Sequence, residues 1–153
     1  MNRQAIDASG APTGALALVG RISRGFARLY EPKLREQGLS LGQVPVFVML
    51  KGGKAMSQSD LARLVRVEQP TMAQLLARME RDGNIVRTAD PQDGRSKLIS
   101  LTADAEKRMP AAKKILFSGE AVALAGFSDA EKNTLVALLE RLSANLDRAA
   151  EEG

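Results

Sequence analysis

"SQSDLARLVRVEQPTMAQLLARMERDGNIVRTADPQDGRSKLISLT", residues 57–102, is the stretch on which the fold turns. Ser57 followed three residues later by Asp60 is a capping signature that opens a helix. Leu61, Leu64 and Val65 give that short helix one apolar face. "RVEQ" (66–69) turns the chain, and Pro70 is suited to the first position of a second helix, where its missing N–H costs nothing. Met72, Leu75, Leu76 and Met79 claim one face of that helix, which Asp82-Gly83 ends. After Gly83 the period changes. "NIVRT" and "SKLISLT" are short, rich in Ile, Val and Thr, and bracket the polar tip "ADPQDGR", which together make a hairpin signal. Two short helices joined by a few residues and followed by a hairpin predict a winged helix-turn-helix.

Working outward, Leu16, Val19, Ile22, Phe26, Leu29, Tyr30 and Leu34 recur at steps of three and four. They predict an amphipathic helix from Thr13 to about Gly38. Ser40 with Gln43 is a second capping box. Pro45 falls at about the fifth position of the helix it opens, where it removes a hydrogen bond and is expected to bend the start. "KGGK" closes that helix. On the other side, Thr102 can cap a helix from about 103 to 126, expected to bend at Pro110. "SDAE" at Ser128–Glu131 opens a last helix with Leu135, Leu138, Leu139, Leu142 and Leu146 in line. The expected class is mainly α (α+β). A mobile arm over 1–12 precedes one domain over 13–153, with a winged core at about 40–102 and flanking helices at about 13–37 and 103–150. The flanking helices carry more apolar surface than a core of about 70 residues needs, so they are expected to pack together and against a second copy of the chain.

Composition removes many functions. The 153 residues include no Cys and no His, which excludes disulfides, thiolate nucleophiles, the usual zinc sites and every catalytic arrangement with a His base. The acids fall at caps, turns and helix faces, so no enzyme and no cofactor are expected. The apolar runs are too short to span a membrane, and no apolar segment follows the N-terminal charge, so a cytoplasmic location is expected. Net charge is +4. Residues 1–56 carry eight basic and three acidic side chains, whereas residues 103–153 carry seven and nine. A positive bias in the first part of the chain suits a polyanionic partner.

The helix at Pro70 shows Gln69, Pro70, Thr71, Ala73, Gln74, Ala77, Arg78 and Arg81 opposite its apolar face. Small and amide side chains near a helix N-terminus suit a major groove, where Gln can pair with adenine edges and Thr can touch a thymine methyl or a phosphate. At the hairpin tip Asp93-Gly94 supplies turn chemistry and Arg95 follows. Asp93 is placed to hold the Arg95 guanidinium by paired hydrogen bonds, and an oriented Arg on a narrow protrusion suits a minor groove.

The motifs "SQSDLARLVRVEQPTMAQLLARMERDGNIVR" and "DPQDGRSKLISLT" resemble those of the MarR family of bacterial transcriptional regulators, and "EQPT" resembles the SlyA-like branch. The resemblance covers about Thr13 to Leu146. It implies a homodimer of winged helix-turn-helix domains on a pseudo-palindromic operator, located with the bacterial nucleoid. Typically such a dimer is a repressor relieved by a small anionic or phenolic ligand. Asp93 and Arg95 followed by Leu101-Thr102 match the family's wing signature, which implies that Arg95 reaches the minor groove and that a dimerisation helix starts after Thr102. Candidate phosphate contacts are Lys54, Arg66 and Lys97. Candidate ligand contacts are Arg21, Arg24, Arg28 and Tyr30. Ala105 stands where the family often has Gly, and Pro45 is less usual. The absence of Cys excludes the peroxide-sensing thiol of one branch. The competing expectation is a dimeric ligand- or protein-binding module of the same fold that does not bind an operator.

Overall fold

The computed structural model describes residues 14–152. The expected arm over 1–12 lies outside the described residues. The chain divides into two compact units, residues 1–117 and 118–153.

The first unit begins with helix α1, Ala15–Glu36, entered from Gly14 and containing Pro32. A short 3-10 turn, Leu41–Gln43, leads into α2, Val44–Leu50. Strand β1 is Ala55–Ser57, α3 is Gln58–Val65 and α4 is Gln69–Arg81. Strands β2, Ile85–Ala89, and β3, Lys97–Leu101, form the hairpin, and α5, Ala103–Ala123, follows. The second unit holds the end of α5 and helix α6, Asp129–Glu151.

The caps read from the sequence close as hydrogen bonds. The Ser57 hydroxyl accepts from the Asp60 N–H at 3.1 Å and donates to the Asp60 carboxylate at 2.8 Å. Ser128 accepts from the Glu131 N–H at 3.2 Å, and the Glu131 carboxylate accepts from the Ser128 N–H at 2.8 Å. The Thr102 hydroxyl accepts from the Ala105 N–H at 3.2 Å and donates to the Gly83 carbonyl at 2.8 Å, so it joins the start of α5 to the end of α4. Caps of this type each contribute about 1 kcal/mol.

Two expectations about prolines change. The chain from Leu41 to Gln43 is 3-10, so α2 begins at Val44 and Pro45 lies in its first turn. The N–H that Pro45 lacks would have had no partner there, and no bend is required. Similarly α4 begins at Gln69, one residue before Pro70.

The sheet has one strand more than the hairpin that the sequence predicts. Its order is β1-β3-β2, antiparallel throughout, with Met56 opposite Ile99 and Arg87 on the other side of Ile99. Ile85, Ile99 and Leu101 turn inward onto α2, α3 and α4. There they meet Val46, Leu50, Leu61, Met72, Leu76 and Met79, all fully or almost fully buried. Each such side chain contributes about 1.5–3 kcal/mol by leaving water. Ala105 is also fully buried, which accounts for a small residue at that point of α5.

The flanking helices leave apolar side chains in water. On α1 these are Leu16, Val19 and Ile22, and on α5 Phe117 and Val122. On α6 they are Val136, Leu138, Leu139, Leu142 and Leu146, and no residue of that helix is buried.

Candidate nucleic-acid interface

Helix α4 is positioned from both ends. At its C-terminus the Asn84 N–H donates to the Met79 carbonyl at 2.8 Å and the Gly83 N–H to the Glu80 carbonyl at 3.0 Å, a Schellman closure with Gly83 at φ 71°. Along its side, Arg87 of β2 pairs with Glu80 at 3.2 Å. Its buried face is Met72, Leu76 and Met79, with Leu75 half-buried. The opposite face is therefore committed to solvent. Gln69, Pro70, Thr71, Gln74 and Arg78 are exposed on it, and Ala73 lies half-buried at its margin. No side chain caps the N-terminus of α4, so the first N–H groups of this face stay available to an outside acceptor.

The turn before α4 is tight. Arg66 adopts the left-handed conformation at φ 58°, the one positive φ at a non-glycine among the described residues. The neighbouring Val67 N–H returns to the Ala62 carbonyl at 3.0 Å. At the start of the two helices, the Gln58 side-chain amide donates to the Gln69 side-chain oxygen at 3.3 Å. This contact brings the N-termini of α3 and α4 together.

At the hairpin tip the acids do something other than expected. The Asp93 carboxylate accepts from the backbone N–H of Arg95 at 3.1 Å, and the Asp90 carboxylate accepts from the N–H of Gln92 at 2.9 Å. The Asp90 N–H donates to the Ser96 carbonyl at 3.0 Å, and the Ser96 N–H to the Asp93 carbonyl at 2.9 Å. Asp93 therefore shapes the loop and does not clamp the guanidinium. Its carboxylate lies two residues from Arg95 along a turn, where the nearest donor is the backbone. Arg95 and Lys97 are exposed, Arg95 at the tip and Lys97 at the first position of β3.

Lys54 is not at the tip. It precedes β1, whose Ala55 faces Ser100, so it stands at the base of the sheet, ~13 Å along the strand from Lys97.

The candidate ligand contacts separate into two groups. Arg21, Arg24 and Arg28 are exposed on α1. Tyr30 is buried, its ring stacks on Phe26 at 5.5 Å, and its hydroxyl donates to the Leu116 carbonyl of α5 at 3.2 Å. Tyr30 therefore packs within the core, apart from the three exposed arginines. An aromatic ring at the inward edge of α1 serves the core.

A helix pair with one polar face outward, followed by a hairpin with a cation at its tip and closed into a three-stranded sheet by the strand before the pair, is the architecture of winged helix-turn-helix transcriptional regulators. Within that class, residues 37–96 match the MarR family model. YybA of Bacillus subtilis, an HTH-type transcriptional regulator, is 28% identical over 130 residues, which are 85% of this chain and 87% of that protein. The crystal structure of the transcriptional regulator SlyA superposes with a TM-score of 0.81 at 26% identity, over 90% of this chain and 96% of that one. The structure of Staphylococcus aureus MepR in complex with DNA superposes with a TM-score of 0.78 at 25% identity, over 86% of this chain and 98% of that one. Among the described residues no cluster of acids could hold a metal, and no helix is long and apolar enough to cross a membrane.

Proposed function

We propose that this MarR-type regulator binds double-stranded DNA sequence-specifically as a homodimer on a pseudo-palindromic operator. It acts at the bacterial nucleoid as a repressor, relieved by a small anionic or phenolic ligand. The observation that carries the reading is the outward face of α4, Gln69, Pro70, Thr71, Gln74 and Arg78, held on a helix whose every large apolar residue turns inward. This face enters a major groove, with Ala73 allowing close approach. Arg95 enters the flanking minor groove from the wing, where the potential is most negative. Arg66 and Lys97 contact phosphates, which sets affinity and salt dependence. Two half-sites lie on the order of 10 base pairs apart. The exposed leucines and valines of α1, α5 and α6 supply the dimer contact, since rows of apolar side chains on one helix are seldom left in water. The exposed trio Arg21, Arg24 and Arg28 supplies charge for an anionic effector.

A gel shift on the DNA upstream of the protein's own gene, with and without a panel of aromatic acids, tests the reading. The expected result is a discrete complex, weakened by rising salt and released by an aromatic acid. Absence of any shift at low salt overturns operator binding and leaves the dimeric ligand- or protein-binding module of the same fold.

A further inference from the structure

The ends of α1 and α4 are built alike. Each runs into a left-handed glycine, Gly38 at φ 68° and Gly83 at φ 71°. In each, the residue after the glycine donates back five positions, Leu39 to the Leu34 carbonyl at 3.0 Å and Asn84 to the Met79 carbonyl at 2.8 Å. A helix end of this kind presents carbonyl oxygens and partial negative charge.

Arg108 of α5 reaches both ends at once. One prong of its guanidinium, Nη1, donates to the Gln37 carbonyl at 2.8 Å, and the other, Nη2, donates to the Asn84 side-chain oxygen at 2.7 Å. Nε donates to the Asp104 carbonyl at 3.1 Å, which fixes the stem on its own helix. Asn84 is fully buried. Its Nδ2 donates to the Gly38 carbonyl at 3.2 Å and to the Gln43 side-chain oxygen at 3.4 Å, and its backbone carbonyl accepts from the Thr102 N–H at 3.0 Å. A Cβ on Gly38 would stand 2.5 Å from Nη1, so the approach of the guanidinium to α1 needs glycine there. None of these groups belongs to the outward face of α4.

We infer that Arg108 is a positioning residue for operator binding, which sets the angle and distance of the recognition helix α4 relative to α5 and the end of α1. The inference rests on the proposed reading of the chain as a dimeric operator-binding protein. In such a dimer α5 leads from the partner contact to the reading head, and the separation of the two α4 helices is decided where α4 meets α5. That meeting point is Asn84, the residue after α4's closing glycine and the one before β2. An apolar contact there would permit sliding. A planar fork with fixed acceptors on two helix ends does not, because its hydrogen bonds are directional.

The test uses the full chain. An operator is first selected from a randomised duplex library with the wild type. Binding is then titrated on duplexes whose half-sites are moved apart or together by one and two base pairs. The wild type is expected to prefer one spacing by roughly tenfold or more, because each added base pair rotates one half-site by about a tenth of a turn. Arg108→Met is expected to retain helical content and binding to unselected duplex while its spacing preference collapses to about threefold or less. If Arg108→Met melts below the assay temperature, Arg108→Lys is read in the same way, since it keeps charge and stem but lacks the fork. A variant that loses melting temperature yet keeps the full spacing preference makes Arg108 a stability residue only and overturns the inference. A wild type that selects no duplex overturns the underlying reading and the inference with it.

Discussion

The carboxylate of Asp93 accepts from the backbone N–H of Arg95 at 3.1 Å, and among the described residues no acid pairs with the Arg95 guanidinium. The acid fixes the path of the chain, and the Arg95 side chain stays exposed. An exposed charge with no internal role is removed from a protein at little cost to its stability.

Arg95→Ala is therefore expected to weaken operator binding by about 1–3 kcal/mol with an unchanged melting temperature. Asp93→Asn, which keeps an acceptor for the turn, should bind nearly as the wild type does, whereas Asp93→Ala should lose part of the affinity. Titration by fluorescence anisotropy measures all three. Tight binding retained by Arg95→Ala takes the wing out of the mechanism.

Gln74 sits on the exposed face of α4, one turn in from Gln69. Gln74→Ala should change which bases are preferred at one position of each half-site, with a penalty of about 1–3 kcal/mol confined to the selected sequence. Selection from a randomised library compares the variant with the wild type. A uniform loss over all sequences contradicts a base-reading role.

Arg66 occupies a left-handed conformation at φ 58°. That conformation costs a residue with a Cβ about 1–2 kcal/mol, and glycine adopts it freely at the expense of a looser unfolded chain. Arg66→Gly should leave stability equal or raise it by up to about 1 kcal/mol while the salt dependence of binding falls by about one phosphate contact. Urea unfolding and binding across a salt series measure the two effects. A clear loss of stability would show that the side chain itself holds the turn.

The two caps predict a pH response. The Ser57 hydroxyl, and then Arg63, hold the Asp60 carboxyl below its ordinary value, and the Ser128 backbone N–H, and then its side chain, do the same for Glu131. A carboxyl with a lowered folded value contributes stability at neutral pH that is lost as pH falls through that value. The stability difference between wild type and Glu131→Gln should therefore be present at pH 7 and shrink as pH falls below about 4. Denaturant unfolding at both ends of that range measures it. A difference that stays constant would show that the capping contribution does not depend on ionisation.

Much of this fold could be read from residues close together in the chain. The three caps at Ser57, Thr102 and Ser128 are contacts over three residues, and their donors and acceptors are spelled out locally. The two faces of α4 follow from its period alone, so the polar face was legible before any contact was known. Strand β1 was not legible, because "AMS" is three residues long and shows no alternation; it exists only because β3 offers it a free edge. The place of Pro45 in the first turn of α2 is not legible locally, because the 3-10 turn before it is a matter of chain entry and not of propensity. Tyr30 falls on the apolar stripe of α1, so its inward face was legible, but the partner of its hydroxyl, the Leu116 carbonyl 86 residues later, was not.

The sequence by itself determined the order of the helices and the hairpin, the caps that bound them, the outward face of α4 and the cation at the wing tip. Each depends on neighbours within a turn or on a helical period, so short-range sterics and hydrogen bonding suffice. Tertiary structure alone decided how α4 is held. Asn84 and Arg108 lie 24 residues apart, and Gln37 and Arg108 lie 71 apart. No local pattern marks a buried amide and a distant guanidinium as partners. Burial makes them so, since a polar group taken from water must find another polar group wherever the packed chain supplies one.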